Sequence, residues 1–285
     1  MLGYLKISKS TYFYNIKHMD EKDKDAIIKQ QITDIYNENL GRYGYRRITL
    51  VIRKRTKVNH KRVARIMHEL GLYGIQPRAK YKSYKGEVGK VCKNLLLDKE
   101  VDENKHRTKY IQNFTTTGIN QKWTTDVSEF HIAAGKLYLS PILDMNNGEI
   151  ISFDISTHPD FKQTMNMLKQ AFKKHSNLKG LIFHSDQGWQ YQIAAYRKLL
   201  ESKGIRQSMS RKGNCLDNGI MENFFGIMKN EMFYGHEYEF TSLEQLKEAM
   251  IKYIDYYNDK RIKEKLKGMT PIEYRNHSSK SVILN

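Results

Sequence analysis

The sequence predicts an α/β protein with a mixed five-stranded sheet flanked by helices, preceded by a small all-helical helix-turn-helix module. From residue 122 onward, three strand-like segments are followed by alternating helical and strand-like segments, an order typical of a mixed sheet covered by helices. Residues 20–70 show only helical spacing with tight turns. Charge also divides the chain: the first 120 residues contain 26 basic and 12 acidic side chains, and the remainder 23 and 19.

The N-terminal module is predicted to contain three short helices. In the first, Ile28, Ile32 and Ile35 form one apolar stripe at helical spacing. The third begins at Asn59, a residue type that caps helix N-termini, and ends at Gly71, a residue type common at helix C-termini. Such helices are typical of DNA-binding helix-turn-helix modules, although an ordinary small bundle has the same pattern. The expected helices are at residues 20–38, 45–55 and 59–70.

The charge balance indicates a polyanionic partner. The chain has 49 Lys and Arg against 31 Asp and Glu, a formal net charge of +18. Between Arg42 and Lys85 there are 14 basic residues and one acid, Glu69, which is more one-sided than an ordinary solvated face. This favours nucleic acid first and an anionic membrane surface second. We expect residues 53–57 to give sequence-independent affinity and the helix after Asn59 to contact bases. The side chains expected to contact DNA are Arg46, Arg47, Lys61, Arg62 and Arg65.

Cysteine content and hydropathy favour a reducing cytoplasm. Cys92 and Cys215 provide neither a disulfide framework nor a CxxC metal motif. The sequence contains no apolar run of about 18 residues, so we expect no membrane span. The first residues lack the long apolar segment of a signal peptide.

The predicted sheet contains a strong hairpin signal, Asn146-Asn147-Gly148, between its second and third strands. The strands after that hairpin alternate with amphipathic helices. The expected strands are at residues 123–132, 137–144, 149–155, 180–183 and 205–209, and the expected helices at 161–175, 193–203 and 218–232.

The C-terminal part is predicted to begin with a long amphipathic helix, capped by Thr241 and ending near Asn258. A basic tail follows at residues 260–267. The domains predicted along the chain are a helix-turn-helix-like region at 1–75, a basic linker at 76–119, a catalytic core at 120–235, and a helix with a basic tail completing that core at 236–285.

Three acidic residues, Asp126, Asp186 and Glu222, have unusual local sequences. Asp126 lies in a predicted strand, and Asp186 follows the carboxyl end of a strand, where open α/β sheets place their sites. Glu222 lies on a predicted helix. If the fold brings the three together, their oxygens can bind two hard divalent cations, which perform phosphoryl transfer when they lie about 3.5–4 Å apart. A cluster of three carboxylates is unfavourable without a cation.

Each acid also has an ordinary structural explanation. Asp126 could lie on an exposed edge strand, Asp186 could cap a helix, and Glu222 could pair with a lysine of its own helix. Among 31 acidic residues, this spacing also arises by chance. The rival metal ligands are Asp144 and Asp154, which have ordinary hairpin contexts, and Asp217, which suits a helix cap.

Further residues are expected to support the acids. Lys229 follows Glu222 by two helical turns and so shares its face, where it could hold a DNA phosphate or simply be solvated. His184 could orient a water or ligand, or be a satisfied structural histidine. The residues expected around the acids are His184, Asn214, Asp217 and Asn218.

The local sequences around these acids match a known family. The segments are Asn-Gln-Lys-Trp-Thr-Thr-Asp-Val (120–127), Phe-His-Ser-Asp-Gln-Gly-Trp-Gln-Tyr (183–191) and Gly-Asn-Cys-Leu-Asp-Asn-Gly-Ile-Met-Glu-Asn-Phe-Phe-Gly-Ile-Met-Lys-Asn-Glu (213–231). They resemble the DDE transposases of the bacterial insertion-sequence-three family, in particular the second-frame product called OrfB. Residues 43–48 and 58–67 are similar to that family's helix-turn-helix region, and Tyr257-Asn258, Arg261 and Thr270-Pro271 to its C-terminal signature. The resemblance covers nearly the whole chain.

The resemblance implies a ribonuclease H-like integrase core in which Asp126, Asp186 and Glu222 bind two Mg²⁺ or Mn²⁺ ions. It implies that water first frees a 3′-hydroxyl at a DNA end, and that this hydroxyl attacks a second phosphodiester without a covalent protein intermediate. The implied processes are DNA transposition, integration and recombination. The implied partners are element ends, target DNA, further copies of the chain and the upstream-frame product OrfA, with nucleoid association when DNA is bound.

Two features depart from the family pattern. Many relatives have a histidine two residues after the C-terminal arginine, where this chain has Lys263, so we assign that position no catalytic role. The active enzyme is commonly a fusion with an upstream frame that supplies a leucine zipper, and this chain shows no heptad run. Two other functions remain compatible with the sequence: a non-enzymatic DNA-binding regulator, and another ribonuclease H-like enzyme such as an RNA-cutting nuclease.

Overall fold

The structure is a computed structural model that describes residues 8–17, 23–75, 91–102 and 107–283. The chain divides into two compact units, residues 1–75 and 76–285. Each unit has its own set of buried apolar side chains.

The first unit is helical. Its third and fourth helices, α3 and α4, pack on each other and on the second, α2, around buried Ile32, Ile48, Ile52 and Val63. The Asn59 side chain accepts a hydrogen bond from the Lys61 N–H at 2.9 Å and so caps α4 as predicted. The second helix begins later than the predicted residue 20, and residues 18–22 lie outside the described part. The bounds are α1 Lys9–Lys17, α2 Ala26–Glu38, α3 Tyr45–Arg53 and α4 His60–Glu69.

The segment predicted to be a linker contains an antiparallel hairpin of two strands, β1 (Leu97–Asp102) and β2 (Arg107–Gln112). Asp98, Lys99 and Glu100 are exposed, so this ribbon has no buried face there to impose an apolar alternation on the sequence. That is why strand periodicity did not reveal it. Residues 76–90 and 103–106 of the predicted linker lie outside the described residues.

The main sheet of the second unit has one interrupted strand. Thr125 pairs with Ile142 and Ser128 pairs with Leu139, so β3 and β4 keep a single register along β5. Counted this way, the sheet has the five strands that the sequence predicts, in the order β6-β5-β3/β4-β7-β8. The strands are β3 Lys122–Thr125, β4 Ser128–Ile132, β5 Gly135–Asp144, β6 Ile150–Ser156, β7 Ile182–Ser185 and β8 Arg206–Met209.

The interruption falls at Asp126, and the partner strand explains it. The shared register places Pro141 of β5 opposite Asp126. Proline has no backbone N–H and cannot complete a ladder at that position. The hydrogen-bonded ladder is therefore interrupted at Asp126, the first candidate acid.

Helices cover both faces of this sheet. On one face, Phe130 and Leu139 pack with Phe224 of α8 and Met250 of α9. On the other, Trp123 and Phe183 belong to a second core formed with α5 and α7. The layered α/β arrangement is the predicted one. The helices are α5 Phe161–Lys174, α6 Trp189–Gln192, α7 Ala194–Ser202, α8 Gly219–Met232, α9 Leu243–Asp259 and α10 Pro271–Ile283, and short 3₁₀ turns occur at Cys215–Asn218, Glu237–Glu239 and Glu264–Leu266.

The C-terminal part differs from the prediction in two ways. The side chain that caps α9 is Ser242, which accepts a hydrogen bond from the Gln245 N–H at 3.2 Å, because Thr241 is one residue too early. The predicted basic tail leads into another helix, α10, whose start is a capping box. The Thr270 hydroxyl accepts from the Glu273 N–H at 3.1 Å, and the Glu273 carboxylate accepts from the Thr270 N–H at 2.8 Å.

Among the described residues, the helices are all too short or too polar to span a bilayer.

Candidate active site

Two of the three candidate acids stand side by side at the sheet. In the parallel pair β3 and β7, Lys122 pairs with Ile182 and Thr124 with His184, a constant offset of 60 residues. The same offset, continued past the carboxyl ends of both strands, relates Asp126 to Asp186. Neighbouring strands lie about 4.8 Å apart, so backbone pairing alone makes these two carboxylates neighbours.

The third acid comes from the first turn of α8. The start of this helix is fastened to β3, because the Thr124 hydroxyl donates a hydrogen bond to the Asn218 amide oxygen at 2.8 Å. Both side chains are buried. Thr124 precedes Asp126 by two residues and therefore shares its face of the strand. This contact holds the beginning of α8, with Glu222, on the side of Asp126.

The electrostatics of the acids agree with this placement. Burial raises the pKa of Asp126 well above its usual range, and the charges of Asp186 and Glu222 raise it further. Burial also raises the pKa of Asp186 and of Glu222. In Asp186 the hydrogen bond from the Gly188 N–H lowers the pKa and so partly opposes burial. Each group thus resists ionisation in the absence of a cation.

The acids retain free oxygen atoms. Asp126 accepts one hydrogen bond, from the Val127 N–H at 2.7 Å, and Asp186 accepts one, from the Gly188 N–H at 2.9 Å. Within the described ranges, Glu222 makes no hydrogen bond and none of the three acids forms an ion pair. In the same part of the chain, no three His, Cys, Asp or Glu side chains converge tightly enough to hold a metal ion. The site thus has two neighbouring carboxylates and a third, Glu222, close enough to raise the pKa of Asp126.

His184 is a satisfied structural histidine. Its ring is buried between the hydroxyls of Ser208 and Ser210, at 2.8 Å from Nδ1 and 3.2 Å from Nε2. Burial lowers its pKa to about 4, so the ring is neutral at physiological pH. The Leu95 N–H donates to the Ser208 hydroxyl at 2.9 Å. His184 therefore joins β7 to β8 and to the chain before β1, and both of its ring nitrogens have hydroxyl partners there.

Asp217 joins segments and does not cap α8. Its carboxylate accepts from the Arg211 guanidinium at 2.8 and 2.9 Å and from the side-chain amides of Asn94 and Gln112 at 3.0 and 3.1 Å. Burial raises the pKa of Asp217, but the hydrogen bonds from Arg211 and Gln112 outweigh it and hold the pKa at about 2. The expectation of a helix cap is therefore wrong, since α8 has no side-chain cap.

The other predicted supporting residues have different positions. Lys229 donates to the Glu129 carbonyl at 2.8 Å and lies 4.9 Å from the centre of the Phe130 ring. Burial lowers its pKa, and its charge in turn lowers that of Asp126. Asn214 closes a turn through main-chain hydrogen bonds with Arg211 and Asp217.

Of the two remaining rival acids, Asp144 has a clear structural role. Asp144 is buried and accepts hydrogen bonds from the Asn120 and Asn146 N–H groups and from Arg275. Asp154 is half-buried on β6, and burial raises its pKa.

Comparison with known proteins follows the same division of the chain. Two family models described as integrase core domain match residues 117–215 and 222–278, and one described as HTH-like domain matches residues 22–80. The putative transposase InsK for insertion sequence element IS150 from Escherichia coli (strain K12) is 46% identical, over 98% of this chain and 93% of that protein. The chain belongs to the insertion-sequence transposases with an integrase core.

Other transposases are similar over comparable lengths. An uncharacterized transposase-like protein of Haemophilus influenzae is 48% identical, over 81% of this chain and 99% of its own length. The transposase for insertion sequence element IS904 of Lactococcus lactis is 32% identical, over 89% and 95%. Among solved structures, the HTLV-2 integrase catalytic core domain in complex with magnesium has a TM-score of 0.46 and 20% identity, over 56% of this chain and 99% of that chain. The family models and the similar transposases confirm the predicted family, and the observed sheet with helices on both faces confirms the predicted fold class.

The predicted DNA-contacting arginines of this transposase mostly have partners within their own unit. Arg62 and Arg65 both bind the Asp25 carboxylate, and Arg65 also binds Glu69. Arg46 contacts the Tyr45 hydroxyl at 3.2 Å, and Arg47 donates to the Arg42 carbonyl at 3.2 Å. Lys61 is exposed and its ammonium has no partner among the described residues. Their DNA contacts stay a prediction.

Sequence reasoning gave no role to Thr124, which helps to shape the site, or to Lys263, which fastens a turn elsewhere in the same unit. Thr124 was overlooked although its two-residue spacing from Asp126 indicates the same face. Lys263 donates to the Gly148 carbonyl at 3.0 Å and to the Tyr257 hydroxyl at 2.8 Å, and so fastens the turn between β5 and β6 to the C-terminal part. No local signal in the sequence indicates that long-range contact.

Proposed function

We propose that this protein is a DNA transposase that cuts the ends of an insertion element and joins them to new DNA, with Asp126, Asp186 and Glu222 as its metal-binding acids. The observation that carries the proposal is the constant register of β3 and β7, which makes Asp126 and Asp186 neighbours in a chain of the transposase family. The relatives are named for the insertion sequence elements they serve. A DNA element end is therefore the substrate class we propose here.

The donor set suits a hard divalent cation. The three acids offer carboxylate oxygens only, with hydrogen bonds that leave one or both oxygens of each free. Burial first, and then the charges of Asp186 and Glu222, raise the pKa of Asp126, and bound positive charge would offset both effects. Two Mg²⁺ or Mn²⁺ ions held by these acids would supply an activated attacking oxygen and stabilise the leaving oxygen.

The chain's own residues would then position these groups. Asp126 and Asp186 directly follow the paired strands β3 and β7, whereas Glu222 depends on the position of α8. The bond between Thr124 and Asn218 sets that position. Lys229, beside the Glu129 carbonyl, places an ammonium group on the same helix two turns further on, where a DNA phosphate could replace the carbonyl as its partner.

The helical unit supplies DNA affinity in this proposal. Lys54, Arg55 and Lys57 are exposed in the turn between α3 and α4, and Lys61 is exposed in the first turn of α4. None of these four has an ion pair with a described residue. Arg62 and Arg65 would contact DNA after exchanging Asp25 for a phosphate or a base.

The partners proposed beyond DNA are further copies of this chain and an upstream-frame OrfA product or fusion. The site of action proposed is the bacterial cytoplasm, at the nucleoid when DNA is bound. Joining two element ends requires two active sites on one DNA assembly, which favours self-association on DNA.

The test is metal-dependent nicking and strand transfer on DNA that carries the inverted repeats flanking the gene. Asp186→Asn should abolish both reactions and leave DNA binding intact. Asp154→Asn is the matched control, because Asp154 is also a half-buried acid of the same sheet and should be dispensable. Nicking that survives in Asp186→Asn would overturn the proposed acid set. Cleavage of RNA–DNA hybrids without strand transfer would instead indicate a ribonuclease-type enzyme.

A further inference from the structure

The loop after Asp186 is held rigidly from inside the protein. The Gln187 side-chain amide donates to the Ser210 carbonyl at 2.9 Å, and Gln192 donates to the Gln187 carbonyl at 2.6 Å. The Tyr191 carbonyl accepts from the Gln207 side chain at 2.7 Å. The Tyr191 ring is wholly buried and packs at 5.5 Å from Tyr196. The backbone of this loop is thus fixed on both sides of residue 189.

On this fixed loop the side chain of Trp189 faces solvent. It is 53% exposed, whereas the other tryptophan of the chain, Trp123, is fully buried. The indole makes no ring or cation contact with any described residue. An aromatic ring exposed on a backbone that is held in place offers a preorganised stacking surface. Because Trp189 is three residues after Asp186, that surface adjoins the candidate acids.

A second loop adds charge and apolar area beside the first. The hydrogen bond between Gln187 and Ser210 brings the two loops into contact. Two residues beyond Ser210, Lys212 is exposed and unpaired within the described residues, and Leu216 in the following 3₁₀ turn is 65% exposed. An exposed aromatic ring and a cation on neighbouring loops are the combination that binds unpaired nucleobases, since every base offers a stacking face and every nucleotide a phosphate.

We infer that Trp189 is a stacking site for an unpaired nucleobase of the DNA substrate, next to the phosphate that is cut. Inside a duplex both faces of a base are occupied by its neighbours, so the site selects single-stranded segments or DNA ends whose terminal bases are unpaired. Stacking also supplies affinity that does not depend on charge, beside acids that repel phosphate. This inference rests on the proposed function, because it names the form of DNA that the same site accepts.

Tryptophan fluorescence provides the test, with the full chain in chelator so that no cleavage occurs. The emission of buried Trp123 is a constant background, and the difference between wild type and Trp189→Phe isolates the exposed indole. A single-stranded oligonucleotide should quench that difference signal, and a blunt duplex of the same sequence should quench it much less. Polyphosphate, which has charge but no bases, should not quench it.

Affinity measured by anisotropy of a labelled single strand gives an independent readout. Trp189→Ala should weaken single-strand binding about tenfold, the scale of one base–aromatic stack, and Trp189→Phe should stay close to wild type. Tyr238→Ala is the control, because Tyr238 is 79% exposed on the 3₁₀ turn at Glu237–Glu239. It should bind like wild type.

Equal quenching by polyphosphate, no quenching by single strands, or equal affinity of the Ala and Phe variants would overturn the inference. Nicking assays separate this failure from failure of the proposed function. Metal-dependent nicking by a protein whose Trp189 does not respond to DNA would overturn the stacking site alone. Base-dependent quenching in a protein without nicking would support the stacking site and overturn the proposed activity.

Discussion

At the scale of single residues, the candidate acids illustrate a site built at a cost to stability. Asp126 has a pKa raised by burial and by two neighbouring charges. A carboxyl whose folded pKa is raised holds its proton to higher pH than the unfolded chain does. Its ionisation therefore lowers the free energy of unfolding as pH rises from 3.8 through the folded pKa. At neutral pH, without metal, the protein carries this penalty.

Asp126→Asn should accordingly raise the free energy of unfolding at neutral pH in chelator, while abolishing strand cleavage. Urea unfolding with and without Mn²⁺ measures the effect, and Mn²⁺ should stabilise the wild type but not the variant. Asp255→Asn, at an exposed position of α9, should change neither quantity. A less stable Asp126→Asn in chelator would contradict this account of the site.

His184 has the opposite effect on the pH dependence of stability. Its folded pKa of about 4 lies below the ordinary 6.5, so the unfolded chain binds a proton first as pH falls. Stability should therefore decline between pH 6.5 and pH 4, by up to about 3 kcal/mol from this residue. In His184→Gln, the free energy of unfolding measured in urea should decline less between these pH values. NMR titration of the wild-type protein measures the folded pKa of the His184 ring directly. An imidazole that titrates near pH 6.5 in the folded protein would disprove it.

At the scale of elements, local patterns predicted most helices and strands but not the long-range contacts. Strands β3 to β8 overlap the five segments that the sequence predicts as strands, and Asn59 and Gly148 act as the cap and turn that their residue types indicate. The β1–β2 hairpin was hidden because three of its charged residues are exposed on the ribbon. The helix α10 carried a recognisable Thr-x-x-Glu signal, which the surrounding basic residues obscured. Asp217, by contrast, binds Asn94 and Gln112 from distant sequence, and no local pattern encodes that contact.

The capping box of α10 predicts a measurable contribution. Thr270→Ala removes the acceptor for the Glu273 N–H and should lower the free energy of unfolding by about 1 kcal/mol. Chemical denaturation measures the change. Asn276→Ala, an exposed change within the same helix, serves as the control and should not destabilise the protein. Equal stability of the two variants would mean that the capping box does not stabilise the helix.

The join between α8 and the segment after α9 is a buried ion pair. Arg261 and Glu231 have side chains only 3% and 7% exposed and lie 2.6 Å apart. Glu231→Gln leaves the guanidinium without its countercharge and should cost roughly 3–5 kcal/mol. The double variant Glu231→Leu with Arg261→Met should recover much of this loss in thermal unfolding. Additive losses in the double variant would show that the pair acts through something other than charge.

At the scale of the whole molecule, the candidate acids and most of the excess positive charge lie in different parts of the chain. The acids lie in the second unit, and the excess positive charge is concentrated in the first 120 residues. The sequence predicted this division and the family. It did not predict that Arg62 and Arg65 would be occupied by Asp25, because that acid lies 37 and 40 residues away.

DNA binding by the whole chain should therefore depend steeply on salt. Alanine at Lys54, Arg55 and Lys57 together should reduce the slope of log affinity against log salt by up to about 0.9 for each phosphate that the variant no longer neutralises. Fluorescence anisotropy over a salt series measures it. Alanine at Lys169, Lys198 and Lys247, exposed cations of the second unit, removes the same charge and should change the slope less. Equal changes in both triple variants would refute a dedicated binding turn.

The hydrogen bond from the Thr124 hydroxyl to Asn218 offers a way to make activity depend on temperature. Valine has the same shape without the oxygen, so Thr124→Val would leave every acid in place and loosen only the anchor of α8 at Asn218. Warming should then release the glutamate before the sheet melts. A transposase altered in this way would move its element in cool cultures and leave it silent in warm ones, giving genetics a reversible switch.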